Sequence, residues 1–228
     1  MSTDLHRFIQ HAGETFELDP DGTAHWAREK TLFVADTHFG KTAAFRAGGV
    51  PVPEHTTARD LARLAFALER TSSERLVILG DMLHAKASRS APVLSAFESF
   101  RAGHASLNIV LVRGNHDRSA GDPPVEWNIE VVDPMTRLGP FTLLHEPPEL
   151  PGAVVGLDDG MAGHLHPSVR LIDPGTRSGV RVACFWKRSD CIVLPGFGSF
   201  TGTHVVRPAA SDDVRVCTSE GVFAIGAV

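Results

Sequence analysis

The chain has 228 residues, of which 43% are hydrophobic and 21% are charged, a balance typical of globular proteins. This length predicts a single domain that spans residues 1–228 and builds a sizeable core of its own. A formal net charge of −5 argues against a protein that coats nucleic acid through a broad basic face. Phosphate substrates stay compatible with this charge, because bound divalent cations would reverse the field locally.

The sequence also lacks the usual signs of export and of membrane insertion. No apolar stretch approaches the roughly 20 residues that a membrane-spanning helix requires. Residues 1–10 mix charged with apolar side chains and contain no signal-peptide core. The cysteines are odd in number and form no C-x-x-C pair, so no disulfide framework is predicted for Cys184, Cys191 and Cys217. We therefore expect a cytoplasmic protein without membrane association.

Hydrophobic patterning predicts a hairpin near the N-terminus and then a first buried strand. Residues 15–18 and 23–26 flank the turn sequence Asp-Pro-Asp-Gly at 19–22, which favours a β-hairpin. Residues 31–35 form a continuous apolar run, as expected of a strand that is buried on both faces.

Strands and helices alternate in the next part of the chain. Residues 57–70 carry apolar side chains at the i, i+3, i+4, i+7 spacing of an amphipathic helix. A second helix is predicted after Ser90, and residues 75–79 and 108–112 repeat the pattern of a buried strand. This alternation predicts right-handed crossovers and a largely parallel sheet.

Beyond residue 125 the pattern changes to short strands separated by turns. The predicted strands cover residues 130–132, 141–144, 169–172, 180–185, 192–194, 214–217 and 222–225. Their number predicts a second sheet packed on the first. We therefore expect an α/β fold in which a two-sheet β-sandwich is flanked by helices.

Five short blocks rich in histidine and aspartate follow predicted strands. They are Asp36-Thr37-His38, Gly80-Asp81, Gly114-Asn115-His116-Asp117, His145 and Gly163-His164-Leu165-His166. Sites in open α/β sheets form outside the carboxyl ends of the strands, where only the folded sheet brings such blocks together. Carboxylate and imidazole ligands suit Mn, Fe or Zn better than Ca or Mg. Together the blocks predict a site for two metal ions.

Most blocks have a structural alternative when each is considered alone. Asp36 could cap a helix, and Asp81 could be a turn aspartate satisfied by the backbone. The block at 114–117 could be a hairpin turn, and His145 is favoured only because no other histidine ends a strand between its neighbouring blocks. Two blocks carry more weight. A hairpin turn at 114–117 would not require His-Asp directly after Asn, and the alternation in Gly-His-Leu-His lets its two rings serve two different ions.

These blocks resemble the calcineurin-like metallophosphoesterase superfamily over roughly residues 32–167. Over about residues 31–202 the chain is similar to the bacterial ligase-associated DNA damage response endonucleases (PdeM type). The closer similarity depends on ADTHFGK at 35–41, FR at 45–46, Gly49, PVP at 51–53, GDMLH at 80–84, VRGNHD at 112–117 and LPGFGSFTG at 194–202. The resemblance implies a four-layer α/β/β/α sandwich and a metal-dependent phosphodiesterase or endonuclease. It also implies a link to DNA repair, with a DNA ligase, a helicase or an exonuclease as partners.

The resemblance also implies a ligand set for two divalent metal ions. Mn is the expected metal, with Fe, Zn or Ni as alternatives. The chain departs from the wider superfamily at His84, which replaces the last aspartate of Gly-Asp-x-x-Asp and agrees with the narrower family. The first ion would be held by Asp36, His38, Asp81 and His166, and the second by Asp81, Asn115, His145 and His164, so that Asp81 bridges the pair.

In the implied mechanism a hydroxide that bridges the metal ions attacks phosphorus, so no protein nucleophile is needed. His116 would protonate the leaving oxygen as general acid, and Asp117 would orient or charge-stabilise it. The candidate substrate-binding residues are Lys41, Arg46, Arg113 and His84, with Lys41 preferred among the cations because it directly follows the first block. The alternative for these cations is an ordinary solvated surface.

Three functions fit the sequence. The first is a phosphodiesterase or endonuclease that acts on DNA or RNA. The second is a phosphatase or phosphodiesterase for a small metabolite or nucleotide, which the acidic net charge favours. The third is a non-catalytic scaffold of the same fold. The sequence leaves open the native metal, the substrate, internal or terminal cleavage, the repair partners and the oligomeric state.

Overall fold

The computed structural model describes residues 6–52, 55–173, 175–176 and 178–226. In this part of the chain, the first sheet has seven strands that lie side by side in chain order. They are β1 (Phe8–His11), β2 (Glu14–Leu18), β3 (Ala24–Trp26), β4 (Thr31–Val34), β5 (Arg75–Ile78), β6 (Asn108–Val112) and β7 (Ile129–Val132). Strands β1 to β4 pair antiparallel, whereas β4 to β7 pair parallel.

Helices join the parallel strands. They are α1 (Lys41–Ala47), α2 (Thr56–Thr71), α3 (Ala91–Gly103) and α4 (Asn115–Ala120). The predicted helices at 57–70 and after Ser90 are confirmed as α2 and α3. The helices α1 and α4 were not predicted, since each is only about two turns long and its sequence also fits a loop.

The second sheet contains nine strands among the described residues. They are β8 (Thr136–Leu138), β9 (Phe141–Leu143), β10 (Gly160–Ala162), β11 (Pro167–Ile172), β12 (Gly179–Lys187), β13 (Cys191–Val193), β14 (His204–Val205), β15 (Asp213–Thr218) and β16 (Gly221–Ile225). Their main order is β14-β11-β12-β13-β10-β9-β8, and β15 joins β16 to β12. The strands β9, β10 and β13 run parallel to one another.

Alternation along the central strands explains why their sequences are apolar throughout. On β4, Leu32 and Val34 pack against the helices, whereas Phe33 packs against the second sheet. The same division holds for β5 and β6, so both faces of the first sheet are buried. Burial of each large side chain contributes about 1.5–3 kcal/mol, which makes these strands the stable support of the fold.

The predicted α/β class and the two-sheet sandwich are confirmed. The predicted segment at 130–132 lies in β7, which completes the first sheet through parallel pairing with β6 rather than opening the second. The α-helices of the described residues all precede residue 121. No described helix is both long and apolar enough to span a membrane.

Candidate metal centre

The five blocks come together at one edge of the sandwich, where strands of both sheets end. Asp36, Asp81 and Asn115 follow the parallel strands β4, β5 and β6. His145 and His164 follow β9 and β10 in the facing sheet. Backbone hydrogen bonds lock the segments together: Asp36 N donates to the Gly80 carbonyl at 3.2 Å, and Gly163 N donates to the His145 carbonyl at 3.0 Å.

Closely spaced ligand atoms form three groups among the described residues. In each group these atoms lie within 4.8 Å of one another, and the groups are Asp36, His38 and His166; Asp81, His145 and His164; and His38, His84 and His116. The first two groups each contain three of the four residues in one of the metal sites that the family resemblance implies. In each of these two groups a carboxylate lies beside imidazole nitrogens, which is the donor set of a divalent transition metal.

Asp81 lies between the two groups. Its Oδ1 is 3.3 Å from His145 Nε2, and its Oδ2 is 3.9 Å from His38 Nε2. Asn115 joins the second group from the first turn of α4, with its Oδ1 2.9 Å from His145 Nε2. One carboxylate therefore offers one oxygen to each group, as a bridging ligand requires.

Ring hydrogen bonds show that these residues fit metal ions. The Nδ1 of His145 lies 3.0 Å from the Leu79 carbonyl, and the Nδ1 of His166 lies 3.0 Å from the Gly202 carbonyl. Because a carbonyl only accepts, each Nδ1 donates, and a ring in its neutral form then keeps its lone pair on Nε2. These lone pairs face carboxylate oxygens, and a cation between them would make the arrangement favourable.

The carboxylate of Asp36 supports the same fit. This residue is fully buried, and its Oδ2 accepts a hydrogen bond from His164 N at 2.8 Å. Its Oδ1 has no hydrogen-bond partner among the described residues. The nearest ring nitrogen is His166 Nε2 at 3.5 Å. A buried oxygen left without a partner costs about 1–3 kcal/mol, more when it is charged, and a bound metal ion would offset that cost.

Glycines of the motifs make room for the ligands. A Cβ on Gly80 would lie 2.5 Å from Cγ of the His145 ring, and a Cβ on Gly163 would lie 2.7 Å from Asp36 Oδ2. Neither distance leaves space for a carbon atom. The glycine that precedes a ligand in these blocks is therefore required by close packing around the metal centre.

Backbone strain is concentrated at the same residues. Left-handed φ angles between 44° and 67° occur at five of the predicted ligands: Asp36, His38, Asp81, His164 and His166. This conformation costs an L-residue about 1–2 kcal/mol. Strain of this kind is retained where the surrounding structure holds a functional geometry, which here aims the side chains into one space.

His116 and Asp117 lie at the start of α4, beside the two groups. The Nδ1 of His116 donates to the His84 carbonyl at 2.8 Å, and its Nε2 lies 3.9 Å from Asp81 Oδ2. The carboxylate of Asp117 accepts from the backbone amides of Gly114 at 2.9 Å and Leu83 at 3.2 Å. Burial raises the pKa of Asp117, while these amides oppose the rise. Asp117 thus holds the loop in shape, and its effect on His116 stays a prediction.

A family profile described as "Calcineurin-like phosphoesterase" matches residues 29–190. The chain belongs to the calcineurin-like phosphoesterase family. It is therefore a metal-dependent phosphoesterase, a hydrolase whose family uses divalent metal ions, as the sequence motifs predicted.

Two solved structures provide the comparison for this phosphoesterase. The crystal structure of Pseudomonas putida nuclease MPE shares 37% sequence identity, with a TM-score of 0.79, and the alignment covers 96% of this chain and 98% of that chain. YfcE, a phosphoesterase from E. coli, shares 16% identity with a TM-score of 0.39, over 86% of this chain and 92% of that chain. No curated protein matches the sequence.

Two of the predicted substrate-binding residues border the metal centre. Lys41 begins α1 and lines a narrow cavity together with His38. Burial lowers the pKa of Lys41, and the charges of Asp81 and Asp36 oppose that shift. The ring of His84 stacks on that of His116 at a centroid distance of 4.6 Å. Burial, and then the neighbouring His116, lower the pKa of His84 to about 4, so this ring is neutral at neutral pH.

The two arginines of that prediction have other surroundings. The guanidinium of Arg113 bonds Asp122 at 2.9–3.1 Å and Asp133 at 2.7 Å. These ion pairs argue against direct contact between Arg113 and a substrate. Arg46 lines a groove of about 100 Å³ whose lining residues include none of the seven predicted ligands. A role of either arginine in substrate binding stays a prediction.

Sequence reasoning missed the residues that fix the loop at 194–202. Phe197 N donates to the Ala35 carbonyl at 2.8 Å, which joins this loop to the strand end that carries Asp36. The buried carboxylate of Asp60, on α2, accepts from Ser199 N at 3.0 Å and from Ser199 Oγ at 3.1 Å. Asp60 lies four residues before Leu64 and therefore on the same face of α2. An acidic residue on this buried face was the signal that could have predicted the contact with Ser199.

Proposed function

We propose that the protein is a phosphodiesterase that binds two divalent metal ions and cleaves nucleic acid, with a role in DNA repair. The position of Asp81 carries the two-metal part of this proposal, because its two oxygens face different groups of histidines. Asp36, His38 and His166 would complete one site. Asn115, His145 and His164 would complete the other.

The bound ions would supply an activated water and would neutralise charge on the phosphate oxygens. Mn is the metal we favour, and Fe, Zn and Ni bind the same donor set. The clustered side chains of the described residues are histidines and aspartates, so imidazole and carboxylate are groups available for proton transfer.

His116 is the proposed general acid. Its side chain is 34% exposed and lies at the rim of the cluster, where a substrate can reach it. Because Nδ1 donates to the His84 carbonyl, the proton for the leaving oxygen would come from Nε2 of the imidazolium. Protonation matters because an alkoxide leaving group is otherwise a strong base.

Nucleic acid is the proposed substrate for two reasons. The nuclease from P. putida is 37% identical over nearly the whole chain. Lys41 also places a cation beside the metal centre, where it can pair with a phosphate next to the one that is cleaved. A DNA ligase, a helicase or an exonuclease as partner follows from the family resemblance alone.

The first test uses metal-stripped protein and chromogenic esters. We expect added Mn to restore cleavage of bis-4-nitrophenyl phosphate, and Asp81→Asn to abolish that cleavage and lower metal content. Asp158→Asn, at an exposed carboxylate, is the matched control and should keep both. Full metal occupancy in Asp81→Asn would contradict the bridging assignment. Cleavage of the monoester alone would point to a metabolite phosphatase.

The second test addresses the natural substrate. DNA and RNA oligonucleotides, linear and circular, would be incubated with the Mn-loaded protein. Cleavage of circles would show internal incision, whereas cleavage of linear strands alone would show action from an end. Diester cleavage without any action on either polymer would restrict the function to small phosphodiesters.

A further inference from the structure

A row of aromatic rings leads from the metal centre to the surface. Phe200 packs edge-on against Phe45 at a centroid distance of 5.7 Å, and Phe45 lies 6.0 Å from the ring of His84. His84 in turn stacks on His116, the proposed general acid. The row thus begins beside the reacting atoms and ends at Phe200, which is 38% exposed.

Two different elements hold this row in place. Phe45 is four residues after Lys41 on α1, so the ring and the ammonium group share one helical face. Phe200 belongs to the loop at 194–202, whose backbone is fixed by the bonds between Ser199 and Asp60. The ring of Phe200 is therefore anchored in position before any substrate arrives.

The surroundings of Phe200 indicate what this ring contacts. Phe200, Lys41 and His38 line the same cavity of about 10 Å³, so an exposed apolar ring, a cation and a predicted metal ligand adjoin one another. A single exposed phenylalanine is common on protein surfaces. A ring beside a phosphate-binding cation is more specific, because a nucleotide carries a flat base one sugar away from its phosphate.

We propose that Phe200 and Phe45 form a stacking wall for the nucleobase next to the scissile phosphate. The wall makes these residues specificity determinants that favour diesters with a base over diesters without one. This inference rests on the proposed phosphodiesterase function and adds the part of the substrate that the enzyme recognises.

The test compares two diesters that share one leaving group. They are thymidine 5′-(4-nitrophenyl phosphate), which has a base, and ethyl 4-nitrophenyl phosphate, which has none. With Mn-loaded protein, the ratio of their kcat/KM values should favour the thymidine ester. Phe200→Leu keeps the apolar volume but removes the ring, and should lower that ratio about tenfold, chiefly through KM.

Two further variants separate stacking from a merely structural role. Phe200→Trp should preserve or raise the ratio, because a larger ring stacks at least as well. Phe66→Leu is the matched control, since Phe66 is 62% exposed on α2 and does not belong to the row, and should leave the ratio unchanged. In metal-free Phe200→Trp, dithymidine monophosphate should quench the emission of the new indole, whereas diethyl phosphate, which carries no ring, should not.

The outcomes distinguish this inference from the function on which it rests. If the wild-type protein cleaves neither diester with any metal, the proposed function fails and the stacking wall fails with it. If it cleaves both and Phe200→Leu leaves the ratio unchanged, the function stands and the wall is refuted. An equal loss on both esters would also refute it, because the ring would then serve the leaving group or the fold.

Discussion

Replacement of Gly114 by alanine would disturb the bridging carboxylate while changing little else. The φ and ψ angles of Gly114, −89° and 178°, lie in the extended region that alanine adopts without strain. The added Cβ would lie 2.5 Å from Asp81 N and 3.1 Å from Asp81 Cγ, and closer still to Asp81 Oδ1. The perturbation is therefore steric and is directed at one residue, through both its backbone amide and its carboxylate.

The expected magnitude follows from these distances. Ordinary contacts between carbon atoms begin at about 3.5 Å, so the Asp81 carboxylate has to move by about 1 Å. Metal–ligand distances tolerate shifts of only about 0.2 Å. We expect Gly114→Ala to lose at least one metal ion per chain and about 100-fold in kcat on a diester, the usual effect of a 1 Å misplacement.

Metal content and turnover would be measured together. Mass spectrometry of the metals would give the stoichiometry, and cleavage of bis-4-nitrophenyl phosphate would give kcat. Gly103→Ala is the matched control, because a Cβ on Gly103 meets no atom within 4 Å. The reasoning would be refuted by Gly114→Ala protein that keeps the wild-type metal content and the wild-type turnover.

Three further predictions follow from the site. His116→Ala should reduce kcat about 10²–10³-fold on a nucleoside diester but less on a 4-nitrophenyl ester, whose leaving group needs less protonation; equal losses would exclude the acid role. Burial lowers the pKa of His38 from 6.5 to about 2. The unfolded chain therefore binds the extra proton below pH 6.5, and the free energy of unfolding of metal-free protein should fall by about 1.4 kcal/mol per pH unit there. Urea titrations at pH 7 and pH 5 would show this loss, and His38→Asn should reduce it. Asp60→Ala should weaken metal binding about tenfold, because it frees the loop whose Gly202 carbonyl holds His166. Asp60→Asn should restore part of the affinity. Unchanged metal binding in Asp60→Ala would contradict the role of Asp60 in fixing this loop.

The positions of the proposed ligands on the first sheet could be predicted from the sequence, because their strands are strongly apolar. Asp36, Asp81 and Asn115 each follow such a run, and parallel strands bring their carboxyl ends to one edge. His145 was harder to find, because β9 is only three residues long and belongs to the other sheet. The family resemblance supported the prediction of His145, because the hydrophobic periodicity around it was too short to do so.

Other parts of the centre depend on contacts that no local pattern encodes. Phe200 is more than 80 residues from His116, and it reaches the centre only because its loop folds back onto the end of β4. Arg113 shows the opposite case, since it is next to Gly114 in sequence but pairs with Asp122. Long-range packing decides both positions.

The division of the ligands between two sheets also bears on when the protein first becomes active during its synthesis. A ribosome that has released residues up to about 120 has provided Asp36, His38, Asp81 and Asn115, but none of the histidines that come from the second sheet. A shortened or half-made chain therefore lacks the imidazoles that both predicted metal sites require. On the proposed two-metal function, hydrolysis would have to wait until the two halves have docked, and the bound ions would then hold the two sheets together.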